Sequence, residues 1–182
     1  MNKIIAIILL IISLPLFLIT SLIIMIDDGL PIFFRQRRIG SNNIEFWIFK
    51  FRTMKNDTPD IPTHLLKEVR SYNTFIGSLL RKMSIDEIPQ LINILKGEMV
   101  FIGPRPALHN QDDLIGLRTN KGIHKFKPGI TGWAQVNGRD ELCIPEKVKL
   151  DEYYLNNKSF WLNIKILFMT VKQLLFPKGV SH

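Results

Sequence analysis

The sequence predicts a membrane-anchored chain of helices with a few short strands. Three observations carry that reading: an uncharged apolar run at residues 4–26, helical spacing of apolar residues at 160–175, and brief extended stretches bounded by glycine and proline. A length of 182 residues suits one domain of ordinary size.

The run "IIAIILLIISLPLFLITSLIIMI" is long enough to cross a hydrocarbon core as a helix. It ends in "DDGLP" rather than a small-residue cleavage site, which excludes a signal peptide. Pro15, near its centre, removes a backbone donor and crowds the preceding turn. Ser13 is placed to hydrogen-bond backbone groups that a break leaves free. Two topologies follow. A kinked span puts Met1 across the membrane from "RQRR" (35–38), whose charge marks the cytoplasmic side. A helix that dips in and returns leaves Lys3 and RQRR on one side. The residues alone favour the kinked span, because proline kinks are tolerated in membrane helices.

"IEFWIFKFRTM" (44–54) reads as a strand or an interfacial segment, and "KNDTPDIPTH" (55–64), with two prolines, as a loop. A helical pattern runs from 65 to 82, weakened by Gly77. Then come a turn, a short helix ended by Gly97, a strand "MVFI" and a tight "GPRP" turn. Three glycines and a proline make 124–140 loop-rich with brief extended pieces. "PEKVKLDEYYLNN" is helical again. In the last helix Phe160, Ile164, Leu167, Phe168, Val171, Leu174 and Leu175 form a stripe for the core or for a membrane interface.

Lys and Arg number 24 against 16 Asp and Glu, so the net charge of +8 points to an anionic partner. Cys143 is the only cysteine and makes no internal disulfide, while the four histidines are scattered without zinc-ligand spacing. There is no phosphate-loop signature, no dinucleotide fingerprint and no nucleophile elbow. Zinc-finger and RNP-type motifs are absent as well, so nucleic acid is not an expected partner.

Asp86 and Glu87, in "RKMSIDEIPQ", are the acidic pair that stands out. One reading is a capping box from Ser84 to Glu87. Pro89 weighs against it, since a helix begun at Ser84 would carry that proline beyond its first turn. The other reading is a catalytic pair just before a helix N-terminus, among cations that hold an anionic substrate. Those cations are Lys50, Arg52, Arg81, Lys82, Arg105 and Arg139, with Arg35, Arg37 and Arg38 beside the membrane, where lipid headgroups are the simpler partner. Arg105, fixed between two prolines, suits bidentate phosphate binding. Such a pair can hold Mg²⁺ with a diphosphate, or Asp86 can attack phosphorus.

The chain resembles the bacterial sugar transferases, specifically the small monotopic phosphoglycosyl transferases. The likeness runs nearly end to end, through "PIFFRQRRIG", "FKFRTM", "LLRKMSIDEIPQLINILKGEMVFIGPRP", "KPGITGWAQVNGR" and "KLDEYYLNN". It implies an α+β, helix-dominated fold: a re-entrant, Pro-broken membrane helix (1–30) and a catalytic domain (31–182) with amphipathic interfacial helices. That domain would lie on the cytoplasmic face of the bacterial inner membrane. The implied reaction moves a sugar 1-phosphate from a UDP-sugar to polyprenyl (undecaprenyl) phosphate with Mg²⁺, releases UMP, and opens capsule, O-antigen or other glycoconjugate assembly. Asp86 would be the nucleophile. Glu87 would help to hold Mg²⁺ or manage the acceptor's proton, Arg81 and Arg105 would bind phosphates, Lys50 and Arg52 would line the nucleotide side, and Arg139 would be a further cation. Downstream glycosyltransferases would take the product. The length matches the minimal members, without a preceding transmembrane bundle.

Three departures from the family pattern stand out. Leu14 precedes Pro15, with Ser13 one place early; Asn163 stands where relatives often carry Asp; Phe75 and Ser78 stand where relatives often carry basic residues. Two rival functions are a membrane-tethered, anionic-lipid-binding protein and a UDP-sugar hydrolase. The residues do not name the sugar.

Overall fold

The computed structural model describes residues 2–56, 58, 72–138 and 141–176. Most of the expected loop at 55–64, much of the expected helix at 65–82, and Arg139 lie outside the described residues.

The anchor is one α-helix, α1 (Asn2–Asp28); Pro15 lies inside this helix and does not end it. A proline removes one i→i−4 bond, and the helix continues because both flanks are held. Ala6 and Leu10 pack on Phe46, Ile94 and Met99, while Phe17 and Ile24 pack on Phe51 and Leu80. Ser13 Oγ donates to Leu10 O at 3.3 Å. The covered positions, Ala6, Leu10, Ser13, Phe17, Thr20, Ile24 and Asp28, recur in steps of three and four, which is one helical face. Most other positions of α1 are bare and apolar, Ile4, Ile11, Ile12 and Leu18 included. Both ends touch the body of the protein. A Cβ built on Gly97 would lie 3.7 Å from Lys3 Nζ, and Asp28 pairs with Arg52 at 3.1 Å.

Next comes an antiparallel hairpin of β1 (Phe33–Ile39) and β2 (Glu45–Phe51), with Phe34 opposite Lys50 and Arg38 opposite Phe46. Segment 44–54 is thus a strand in its main part, and RQRR lies on a strand that the sequence reading did not assign. Within the described part of 65–82 the helical pattern is interrupted at 73–76. Asn73 bridges to Met54, Thr74 N donates to Thr53 O at 3.1 Å, and α2 spans only Gly77–Lys82. Gly77 is needed there, because a Cβ would collide with Thr53 O.

Helix α3 (Gln90–Lys96) stops at Gly97 in the left-handed conformation (φ 84°), as expected of a glycine cap. Strand β3 (Val100–Ile102) pairs in parallel with β4 (Gly129–Thr131), whose surroundings are loop-rich as expected. Helices α4 (Asp112–Asn120), α5 (Trp133–Val136), α6 (Ile144–Asn156) and α7 (Phe160–Leu175) complete the described part. This is a helix-dominated α+β fold. Its main core lies between α1, β2 and α3.

Helix α7 settles one open choice. It buries Ile166, with Leu162 and Met169, against Tyr154 and Val136. Phe160, Ile164, Leu167, Phe168, Val171, Leu174 and Leu175 are all exposed. The stripe picked out by periodicity is therefore not the core face.

Candidate active site

Asp86 and Glu87 share a 3-10 turn (Ile85–Glu87) between α2 and α3, with Pro89 as N-cap of α3. That is the position Pro89 implied. No capping box forms. Ser84 sits at φ 54°, its hydroxyl makes no cap bond, and its carbonyl accepts the Glu87 N–H at 3.2 Å.

Strand β2 delivers Lys50 to both carboxylates. Its Nζ lies 2.8 Å from Glu87 Oε1 and 3.4 Å from Asp86 Oδ2. Arg105 Nη1, from the GPRP turn, stands 3.6 Å from the same Glu87 oxygen. Arg81, in the last turn of α2, reaches Asn73 Oδ1 at 3.5 Å. Burial lifts the Asp86 carboxyl above its ordinary value; the Lys50 charge opposes this, Glu87 adds to it, and Arg81 opposes it.

A cavity of about 380 Å³ opens at this group. Asp86, Lys50, Arg52, Arg81 and Arg105 are in its wall, so five of the expected site residues come together. Arg35 and Arg38 join them, whereas Arg37 pairs with Glu45 across the hairpin at 3.4 Å. Assigning the RQRR cations to lipid headgroups therefore missed two cavity residues. For Arg38 the signal was strand alternation, since it shares a face of β1 with Phe34, the cross-strand partner of Lys50; alternation does not account for Arg35. Pro31, Phe33 and Phe34 make part of the wall apolar.

Arg52 also reaches the wall, but its guanidinium closes the end of α1. Nη2 donates to Asp28 O at 2.7 Å and Gly29 O at 2.9 Å, and Nη1 donates to Asn56 Oδ1 at 2.8 Å. A cation at these last carbonyls meets the negative end of the helix dipole. Asn163 Oδ1 accepts from Tyr154 Oη at 2.9 Å, which gives that departure from the family pattern a structural setting.

Among the described residues no three His, Cys, Asp or Glu side chains gather into a metal-binding group. The adjacent carboxylates of Asp86 and Glu87 fit Mg²⁺ as an ion shared with substrate phosphates, since Mg²⁺ is commonly held by one or two carboxylates plus phosphate oxygens.

The family model described as bacterial sugar transferase matches residues 1–177. The chain belongs to that family. It is 43% identical over 167 residues to the uncharacterized sugar transferase EpsL of Bacillus subtilis (strain 168), a match covering 91% of this chain and 80% of the relative. It is 39% identical over 180 residues to the undecaprenyl-phosphate glucose phosphotransferase of Komagataeibacter xylinus, covering 91% of this chain and 33% of that protein. A third relative is the UDP-glucose:undecaprenyl-phosphate glucose-1-phosphate transferase of Escherichia coli (strain K12), 39% identical over 171 residues, with 90% and 37% covered. This sugar transferase thus spans most of EpsL and little more than a third of the two longer proteins.

Proposed function

We propose that this sugar transferase moves a sugar 1-phosphate from a UDP-sugar to undecaprenyl phosphate, or another polyprenyl phosphate, and releases UMP. The observation that carries the reading is Asp86, a buried carboxylate in the wall of a cavity where it meets Lys50, Arg81 and Arg105. The names of both longer relatives support the acceptor class, and that of the Escherichia coli protein supports the donor class.

In the first step an Asp86 carboxylate oxygen attacks the β-phosphorus of the donor. The bond from that phosphorus to the bridging oxygen breaks, and UMP leaves with that oxygen and its electron pair. The sugar phosphate is then esterified to Asp86. In the second step an oxygen of the lipid phosphate attacks the same phosphorus, and Asp86 departs as a carboxylate. Arg105 and Arg81 hold phosphate oxygens, and Lys50 steadies the acidic pair. Mg²⁺ held at Asp86 and Glu87 together with the diphosphate would supply neutralisation of phosphoryl charge.

The chemistry belongs, on this reading, at the cytoplasmic face of the bacterial inner membrane, with α1 bent at Pro15 so that it enters and leaves one leaflet. Contact of both α1 ends with the same body supports that topology. The bare apolar face of α7 would rest in the membrane interface.

The test is UMP release by detergent-purified full chain with Mg²⁺ and undecaprenyl phosphate. The panel is UDP-glucose, UDP-galactose, UDP-N-acetylglucosamine and UDP-N-acetylgalactosamine. Release that depends on the acceptor and is lost in Asp86→Asn supports the reading. Repeated turnover without acceptor would make the protein a hydrolase. An Asp86→Asn variant as active as the wild type would exclude Asp86 as nucleophile.

A further inference from the structure

Backbone bonds hold the flanks of the turn that carries Arg105: Gly129 N donates to Pro104 O and Ile39 N to Ala107 O, each at 2.9 Å. Pro104 and Pro106 have no N–H, so the turn makes few bonds within itself. Side chains take the two carbonyls between those flanks. Arg105 O accepts from Arg118 Nη1 at 2.7 Å and Pro106 O from Arg38 Nη1 at 3.1 Å, while Tyr154 Oη, which donates to Asn163, stands 3.4 Å from Ile102 O. Asp151 and Tyr154 are three residues apart on α6, hence on one face. Both belong to "KLDEYYLNN", a stretch to which the proposed chemistry assigns no role.

Behind the turn, Arg118 Nε and Nη2 donate to Asp151 Oδ2 at 3.0 and 2.6 Å. Asp151 is 1% exposed. A buried ion pair is a poor source of stability, because removing two charges from water offsets most of their attraction, and apolar residues of similar volume often serve as well. What an apolar pair lacks is the third nitrogen of Arg118, which donates to the Arg105 carbonyl. A planar guanidinium can satisfy both partners at once, and an ammonium has no such fork.

We infer that Arg118 and Asp151 are positioning residues for Arg105, holding its backbone so that its guanidinium stands beside Glu87 at the cavity. They touch no substrate, and their effect passes through Arg105 alone. The inference rests on the phosphate-binding role proposed above for Arg105.

The experiment measures UDP affinity, with Mg²⁺ present, and thermal unfolding of the full chain in detergent. The main variant is the double substitution Arg118→Met with Asp151→Leu. Its expected melting temperature is near that of the wild type, whereas its Kd for UDP rises about tenfold, as displaced binding groups do. Introduced into an Arg105→Ala background, the same pair of changes shifts Kd less than about twofold, because the group it acts through is gone. Should the double variant fail to fold, Arg118→Lys keeps a charge against Asp151 but loses the fork, and its expected Kd rises as well. A stably folded double variant with wild-type UDP affinity, beside a weakened Arg105→Ala, would overturn the inference. So would equal losses in the wild-type and Arg105→Ala backgrounds. Wild-type affinity in Arg105→Ala itself would remove the phosphate role of Arg105, and the inference with it.

Discussion

Asp86 and Asp151 are both buried, and each faces a cation from a different element. Their surroundings differ in closure. Asp151 receives two nitrogens of one guanidinium at 2.6 and 3.0 Å, packed between α4 and α6. Asp86 shares a single lysine, at 3.4 Å, with a neighbouring glutamate that the same lysine approaches more closely. One carboxylate has a guanidinium on its Oδ2 and is walled in, and the other has a looser partner and opens on a cavity with further arginines. Burial with a tight partner builds a scaffold; burial with a loose partner beside an open cationic cavity leaves a carboxylate with reactivity to use. Residue type alone does not separate the two.

That contrast can be broken by exchanging the roles. The largest expected effect is on Asp86→Asn, whose acceptor-dependent UMP release falls about 10³-fold or more, as when a covalent nucleophile is removed. Its melting temperature stays level or rises, because Lys50 keeps Glu87 as a partner at 2.8 Å and no buried cation is left unpaired. A parallel loss of fold and activity would erase the distinction from Asp151. Asp151→Asn should behave in the opposite sense: it leaves Arg118 buried beside a neutral partner and costs about 3 kcal/mol of stability, read by thermal or denaturant unfolding.

Lys50→Met comes next, with UMP release reduced about 10²-fold at neutral pH. It also changes the pH profile. Asp86 must be ionised to attack, so the rate falls as pH drops through its raised pKa. Lys50 opposes that rise, and its removal therefore moves the acidic limb to higher pH. An unmoved limb would mean that Lys50 does not govern the carboxylate.

The smallest effect belongs to a third acid, Glu146, which is exposed and accepts from Cys143 N at 3.0 Å at the start of α6. Hydrogen bonds from Cys143 hold its carboxyl below the ordinary value, so its contribution is present above the unfolded pKa and lost as pH falls through the folded one. Glu146→Ala should quicken hydrogen exchange in the first turn of α6 while leaving the melting temperature almost unchanged.

Glu146 also marks where a local pattern misleads. The spacing of Ser84 and Glu87 suggests a capping box, yet the reciprocal box forms at Cys143 and Glu146, with a residue that is a poor textual signal for a cap. Ser84 is held in the left-handed region by the turn that points Asp86 at Lys50. Arg52 and Arg38 make the same point. The first lines the cavity, as expected, and also closes the end of α1 with its guanidinium; the second was assigned to lipid and lines the same cavity. Side-chain destination depends on strand register and on which carbonyls lie within reach, and neither is a property of a short stretch of sequence.

Read alone, the sequence determined the apolar anchor, the helix that ends at Gly97, the short strand before the GPRP turn, and the grouping of Asp86 with Glu87 just ahead of a helix. Each follows from local physics: hydropathy over one segment, the backbone freedom of glycine, and the missing donor of proline. Only the tertiary structure decided that β1 exists, that the covered face of α1 runs its whole length, and that Arg118 and Asp151 stand behind Arg105. Those depend on contacts between residues far apart in the chain, such as Lys50 with Glu87 and Arg118 with Asp151. Their energies arise from burial and hydrogen-bond geometry that exist only once the elements have packed.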